Sequence, residues 1–114
     1  MEEIKLLTRE EFKKQVFART HNKCCVPGCT CDAVDAHHIM DRKLYSNGGY
    51  YLNNGAALCA KHHLNAEHGV ITPLECISYM NNSTENFPVP NKLNLTSEEF
   101  YELLNNGQLN KWGE

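Results

Sequence analysis

The sequence predicts a small single-domain α+β protein, in which a central block rich in cysteine and histidine is flanked by short helices. Five of the six cysteines and five of the six histidines lie between Lys23 and His68, and 114 residues suffice for one domain only. Helix-start signals lie on both sides of the block. We therefore divide the domain into an N-terminal helix within residues 1–20, a core over residues 21–70 and a C-terminal helical extension over residues 71–114.

Capping signals predict the flanking helices. Thr8 and Glu11 have the spacing of a capping box, as do Thr96 and Glu99, and Thr72 precedes a proline that suits the first turn of a helix. Glycine at position 107 predicts the end of the last helix. The predicted helices cover Arg9–Arg19, Pro73–Met80 and Ser97–Asn105.

Within the block, three segments are predicted in order. Ala33–Ile39 is short and partly β-branched, which favours a strand that ends near a His-His pair. Asp41–Asn54 contains Ser-Asn-Gly-Gly and is expected to be an exposed loop. A helix is expected to begin near Leu58 or Cys59 and to run to His68, where Gly69 stops it.

Composition excludes some classes of protein. No apolar run reaches membrane-spanning length, and the acidic start of the chain lacks the features of a signal peptide. We therefore expect a cytoplasmic protein with reduced thiols, in which clustered cysteines bind metal more often than they form disulfides. The net charge is −3, but residues 19–70 carry five basic and four acidic side chains, a charge of +1. This balance argues against a strong non-specific grip on nucleic acid.

Two residue pairs have the spacing of a closed structural zinc site. Cys24 and Cys29 flank a Pro-Gly turn, and Cys59 lies three residues before His62. Thiolate and imidazole are preferred zinc ligands, and four of them leave no open position. From the sequence alone, Cys25 is an alternative ligand to Cys24, and Cys31 is an alternative to Cys29. Cys76 is interpreted as a core residue.

A second set of residues carries a resemblance to a known family. The set consists of Asp35-Ala36-His37-His38-Ile39, Gly48-Gly49, Asn54 and Cys59-x2-His62-His63. Together these motifs resemble the HNH (ββα-metal, or His-Me finger) endonucleases, in particular small zinc-containing phage and bacterial proteins of this type. The resemblance covers about residues 19–69. It implies a ββα-metal core with a zinc-stapled hairpin, meaning a hairpin pinned by the structural zinc, and a bacterial or phage-encoded protein.

The resemblance also implies a role for each matched residue. His37 and His63 match ligands of a catalytic metal, His38 matches the general base that activates water, and Asn54 matches the asparagine that holds the loop. Many family members have a third ligand four residues after the second, usually histidine, where this chain has Glu67.

The residues themselves support an open metal site. Glu67 lies one helical turn after His63, so the two side chains can share one ion, whereas His68 is rotated about 100° further and stays an alternative. Asp35 is expected to orient His37 from the same side of the strand. Two or three ligands leave positions for phosphate, and they suit Mg²⁺, Mn²⁺, Ni²⁺ or Zn²⁺.

The expected function is metal-dependent cleavage of nucleic acid, most simply DNA, with 3′-hydroxyl and 5′-phosphate products implied by the resemblance. Arg42 and Lys43 follow the site and either contact phosphate or are merely solvated. A homodimer or a larger protein partner would supply specificity. The alternative is a non-catalytic, zinc-stabilised module that binds nucleic acid or protein and needs only the four zinc residues.

Overall fold

The computed structural model describes residues 5–113, which form four α-helices and one two-stranded antiparallel sheet. The predicted α+β class is confirmed. Residues 1–4 and 114, which the predicted domain boundaries include, lie outside the described residues. In chain order the elements are α1 (Arg9–Ala18), β1 (Asp35–His38), β2 (Gly55–Leu58), α2 (Ala60–Glu67), α3 (Pro73–Tyr79) and α4 (Ser97–Asn105).

Reciprocal capping boxes start α1, α3 and α4. At α1, the hydroxyl of Thr8 accepts a hydrogen bond from the backbone N–H of Glu11, and the Glu11 carboxylate accepts one from the N–H of Thr8, each at 3.1 Å. The same pattern joins Thr72 to Glu75 and Thr96 to Glu99. The predicted starts are therefore confirmed, while α1 and α3 each end one residue earlier than predicted because the next residue is the C-cap.

The sheet differs from the prediction in two places. β1 is shorter than the predicted strand, and β2 occupies Gly55–Leu58, for which the sequence pattern predicts no strand. Asp35 pairs with Leu58 and His38 pairs with Gly55. Of the two expected starts of the following helix, the one near Cys59 agrees with the structure, since α2 begins at Ala60 with Cys59 as its N-cap, whereas Leu58 completes the sheet.

Helix α1 packs closely on the sheet at Gly55. A Cβ atom added there would collide with the side chains of Val16 and Phe12, which are both buried. Glycine is therefore required for its small size, and it sets the distance between α1 and β2.

The remaining helices complete the packing around the sheet. Ile77 of α3 and both Phe100 and Leu104 of α4 are fully buried in the same hydrophobic core. No helix within residues 5–113 is long and apolar enough to cross a membrane.

Candidate metal centres and active-site cleft

Cys24, Cys29, Cys59 and His62 lie close together and can hold a metal ion such as zinc. Nδ1 of His62 lies 3.5 Å from Sγ of Cys24 and 3.2 Å from Sγ of Cys59, and the Sγ atoms of Cys29 and Cys59 are 3.9 Å apart. Around a tetrahedral zinc ion, a sulfur and a nitrogen ligand are roughly 3.6 Å apart and two sulfur ligands are roughly 3.8 Å apart. The donor set and its spacing therefore fit zinc.

The backbone places the first two cysteines of this cluster. Gly28 adopts a positive φ of 82° in the turn between them, and the turn is closed by an antiparallel bridge between Lys23 and Asp32. The N–H of Cys25 donates to the carbonyl of Ala57 at 2.8 Å, which ties the hairpin to β2. Sequence order thus puts two ligands on a hairpin and two at the start of α2.

The other cysteines lie outside the cluster. Burial raises the pKa of Cys25 to about 12 and also raises that of Cys76 to about 12, as expected for inert core thiols. Cys31 is exposed, and a hydrogen bond with the Cys29 side chain raises its pKa. The structure therefore groups Cys24 and Cys29, rather than Cys25 and Cys31, with the other two ligands.

A second cluster consists of His37, His63 and Glu67, with one ligand atom of each within 4.8 Å of the others. Oε1 of Glu67 lies 3.3 Å from Nδ1 of His37 and 3.5 Å from Nε2 of His63. The contact with Nδ1 of His37 lacks hydrogen-bond geometry, so this buried nitrogen has no hydrogen-bond partner among the described residues. Two imidazoles and a carboxylate converge on one point here, and one of the imidazole nitrogens is buried without a hydrogen bond. This arrangement fits a divalent ion with open positions.

Burial dominates the electrostatics of His37. Burial, and then the positive charge of Lys111, lower its pKa to about 4, and the carboxylate of Glu67 only partly opposes them. The imidazole is therefore neutral at physiological pH, which is the form that binds metal.

Asp35 contacts a different histidine from the one expected. Its Oδ2 lies 3.6 Å from Nδ1 of His63, so Asp35 is placed beside the histidine on α2 rather than paired with His37, its neighbour on the strand. The reason is that α2 brings His63 to the face of the strand on which Asp35 projects, while Nδ1 of His37 faces Glu67. His68, the alternative third ligand, is the exposed C-cap of α2 and is not part of the cluster.

His38 lies beside this cluster but is held by aromatic rings. Its ring stacks on Phe12 with centroids 4.9 Å apart, and Tyr50 approaches edge-on at 5.0 Å. Nε2 of His38 is buried and has no hydrogen-bond partner within the described part of the chain. Burial, and then the positive charge of Arg42, lower its pKa, which favours the neutral ring.

Asn54 is fully buried and holds the loop between β1 and β2. Its side-chain oxygen accepts a hydrogen bond from the N–H of Met40 at 2.8 Å, and its amide nitrogen donates to the carbonyls of Met40 and Gly49, both at 3.1 Å. Three of its four hydrogen-bonding positions are therefore used to fix the loop immediately after His38.

A cleft of about 980 Å³ is lined in part by His37, His38, His63 and Glu67. Six basic residues line it against four acidic residues. The basic residues are Arg9, Lys13, Lys14, Arg42, Lys43 and Lys111, and the acidic ones are Glu10, Asp35, Asp41 and Glu67.

Two features of this cleft are not evident from sequence spacing. Three of the basic residues come from α1, although the sequence places the acidic excess of the chain outside residues 19–70. Lys111 follows Glu67 by more than 40 residues, yet its ammonium lies 2.9 Å from that carboxylate. In the sequence, these residues are visible only as charged side chains outside the central block, and such side chains usually indicate a solvated surface.

Comparisons of the chain with protein-family models, with curated proteins and with solved structures found no match. We therefore infer the function from the geometry of the site.

Proposed function

We propose that this protein is a metal-dependent endonuclease that hydrolyses phosphodiester bonds of nucleic acid, most simply DNA. The observation that carries the proposal is the position of His38, a buried histidine with an unpartnered Nε2, beside the cluster of His37, His63 and Glu67 in one cleft. The resemblance of these residues to the HNH endonucleases supports the same assignment.

The residues divide the chemistry between them. His37, His63 and Glu67 would hold the divalent ion, which would supply Lewis-acid stabilisation of the phosphate and of the leaving oxygen. His38 accepts the proton of the attacking water, and its stacking on Phe12 keeps the ring from turning towards the metal ligands. Asp35 orients the imidazole of His63.

The charges of the cleft favour a polyanion as substrate. With six basic and four acidic residues the cleft carries about +2, and a bound divalent ion adds two further charges. Arg42 and Lys43 line the cleft beside His38, so their predicted contacts with phosphate are part of this proposal. Phosphate contacts of this kind position a strand without reading its sequence.

The test is a plasmid-nicking assay with Mg²⁺, Mn²⁺, Ni²⁺ and Zn²⁺ in turn. We expect His38→Ala to lower the cleavage rate by about 10²- to 10⁴-fold, because the variant lacks the base. Glu67→Gln should also lose activity, and it should require more metal. His68→Ala is the matched control, since it removes an exposed imidazole from the same helix, and it should cut at the wild-type rate.

Two results would contradict the proposal. Equal nicking by wild type and a folded His38→Ala variant would remove His38 from the mechanism. No cleavage of duplex, single-stranded or branched DNA, or of RNA, with any of the four ions would favour the non-catalytic zinc module instead.

A further inference from the structure

Lys111 is a buried lysine that the proposed chemistry does not use. Its side chain is only 6% exposed, although it lines the cleft, and its ammonium contacts Oε1 of Glu67 at 2.9 Å. The carbonyl of Lys111 accepts a hydrogen bond from the N–H of Asp41 at 2.7 Å, which fixes the residue to the loop after β1. Burying an ammonium costs several kcal/mol unless it is paired, so this placement requires a compensating partner.

Glu67 can serve a metal ion and Lys111 together. A carboxylate has two oxygens with about four lone-pair positions, and one ammonium hydrogen bond uses only one of them. The ion held with His37 and His63 would then share Oε1 of Glu67 with the ammonium of Lys111, because that oxygen faces both histidines and the ammonium.

The charges of this arrangement do not cancel. A divalent ion and an ammonium would contribute +3 and the carboxylates of Glu67 and Asp35 −2, while imidazoles that bind the ion would add no charge. The remaining positive charge favours an anion that contacts both cations. An ammonium has three N–H donors, so Lys111 keeps donors for such an anion after it has paired with Glu67.

We propose that Lys111 is a substrate-binding residue that donates a hydrogen bond to a non-bridging oxygen of the scissile phosphate, beside the metal held by His37, His63 and Glu67. This inference rests on the proposed phosphodiester substrate. Negative charge on the non-bridging oxygens is what such a pair of cations stabilises during cleavage. Nζ of Lys111 also lies 5.7 Å from the centroid of the Trp112 ring, a cation–π contact in addition to the pairing with Glu67.

The test measures binding without cleavage, using zinc-loaded protein, Mn²⁺ and inorganic phosphate. Free Mn²⁺ is followed by electron paramagnetic resonance, and phosphate binding to the Mn²⁺-loaded protein is followed by ³¹P relaxation. We expect Lys111→Met to weaken phosphate binding at least tenfold, the effect of losing one charge-assisted hydrogen bond. Its Mn²⁺ affinity in the absence of phosphate should equal or exceed that of wild type, because an ammonium next to the site repels the ion.

Two variants complete the experiment. Lys111→Arg keeps the charge and the donors and should bind phosphate within about threefold of wild type. Lys61→Met removes an exposed lysine from α2 outside the cleft and should change neither affinity.

Two results would overturn the inference. Unchanged phosphate affinity in Lys111→Met would mean that the ammonium does not contact the anion. A tenfold loss of Mn²⁺ affinity would mean that Lys111 only positions Glu67. If urea unfolding shows that the methionine variant is not folded, Lys111→Gln is judged by the same two criteria. This experiment measures no cleavage, so its outcome is independent of the nicking assay. If the protein cuts no nucleic acid, the proposed function is refuted, and the phosphate-binding measurements still show whether Lys111 contacts an anion.

Discussion

A single asparagine side chain determines the geometry of the loop that begins just after His38. Asn54 makes three buried hydrogen bonds to the backbone at Met40 and Gly49, and both of these residues lie in the segment that connects the two strands. The adjacent carbonyl of Asn54 accepts a hydrogen bond from the N–H of Ile39 at 2.8 Å. The residue therefore joins the start and the end of the loop at one point.

Replacing Asn54 with alanine should destabilise the fold by about 3 kcal/mol, because it leaves three buried backbone groups without their partner. Urea unfolding measures this loss. Asn53→Ala is the control: Asn53 is only partly buried and bonds the exposed Arg19 side chain and the carbonyl of Asn86. The control should cost less than about 1 kcal/mol. Equal losses in the two variants would show that Asn54 has no special structural role.

The structure distinguishes cysteines that spacing alone leaves equivalent. Cys29→Ser should abolish tight zinc binding in the cluster with Cys24, Cys59 and His62, whereas Cys31→Ser should retain one zinc per chain. Zinc is counted with a chromophoric chelator after dialysis against EDTA, which removes more weakly held ions. Loss of zinc from the Cys31 variant, with retention in the Cys29 variant, would reverse the assignment of the ligand.

At the level of elements, α1 forms a wall of the cleft. Its buried side, with Phe12 and Val16, packs on β2, while Arg9, Lys13 and Lys14 line the cleft that also contains the histidines. The helix therefore has two separate tasks, because it covers the sheet and it brings positive charge to the site.

Under the proposed function, the basic side of α1 should contribute to the salt dependence of DNA binding. We expect a Lys13→Gln, Lys14→Gln double variant to reduce the slope of log affinity against log salt by as much as about 1.8 for duplex DNA, or about 1.4 for a single strand. Fluorescence anisotropy with catalytically impaired His38→Ala protein measures the slope. Lys61→Gln with Lys92→Gln removes the same charge from exposed sites outside the cleft, and an equal change in that control would exclude a specific contact.

Elements with strong local signals could be predicted from the sequence, and the others could not. The capping boxes at Thr8 and Thr96 act within four residues, so their helices have the predicted starts. By contrast, β2 has the sequence Gly-Ala-Ala-Leu, which has little strand propensity, and it is a strand because it pairs with β1 and is buried by α1. Local tendency and tertiary environment disagree there, and the environment determines the result.

The residues of the candidate site likewise divide into those that local sequence patterns predict and those that only the tertiary structure brings together. Within each ligand pair, Cys24 with Cys29 and Cys59 with His62, only a few residues separate the two members. Over so short a range, spacing in the sequence predicts that the two side chains lie close together. Lys111 reaches Glu67 only through the packing of the C-terminal extension, and no sequence pattern encodes that distance. Contacts between remote segments of the chain are what the structure adds.

At the scale of the whole molecule, the cluster of Cys24, Cys29, Cys59 and His62 connects two segments that are far apart in the sequence. It joins the hairpin at residues 23–32 to the start of α2, and α2 in turn carries His63 and Glu67. In a domain this small, a structural metal provides a large share of the free energy of folding.

Removing the metal from this cluster should therefore destabilise the whole core and not only the hairpin. We expect a strong chelator to lower the urea midpoint markedly, and zinc to restore it, since structural zinc contributes as much as about 10 kcal/mol in small domains. Circular dichroism and the fluorescence of Trp112, the single tryptophan, follow the transition. Restoration by Zn²⁺ but not by Mg²⁺ identifies the thiolate cluster, and an unchanged midpoint without metal would mean that it does not support the fold.

Helix α2 carries residues of both clusters, since His62 belongs to one and the next residue, His63, belongs to the other. Each inserted residue turns an α-helix by about 100°, so a single insertion between Cys59 and Glu67 would turn one set of ligands away from its ion whatever residue was added. Near Ser83, in an exposed loop, the same change would displace no ligand of either cluster. The spacing from position 59 to position 67 is thus a stricter requirement than most of the residues within it, and a segment-swapping experiment must preserve it.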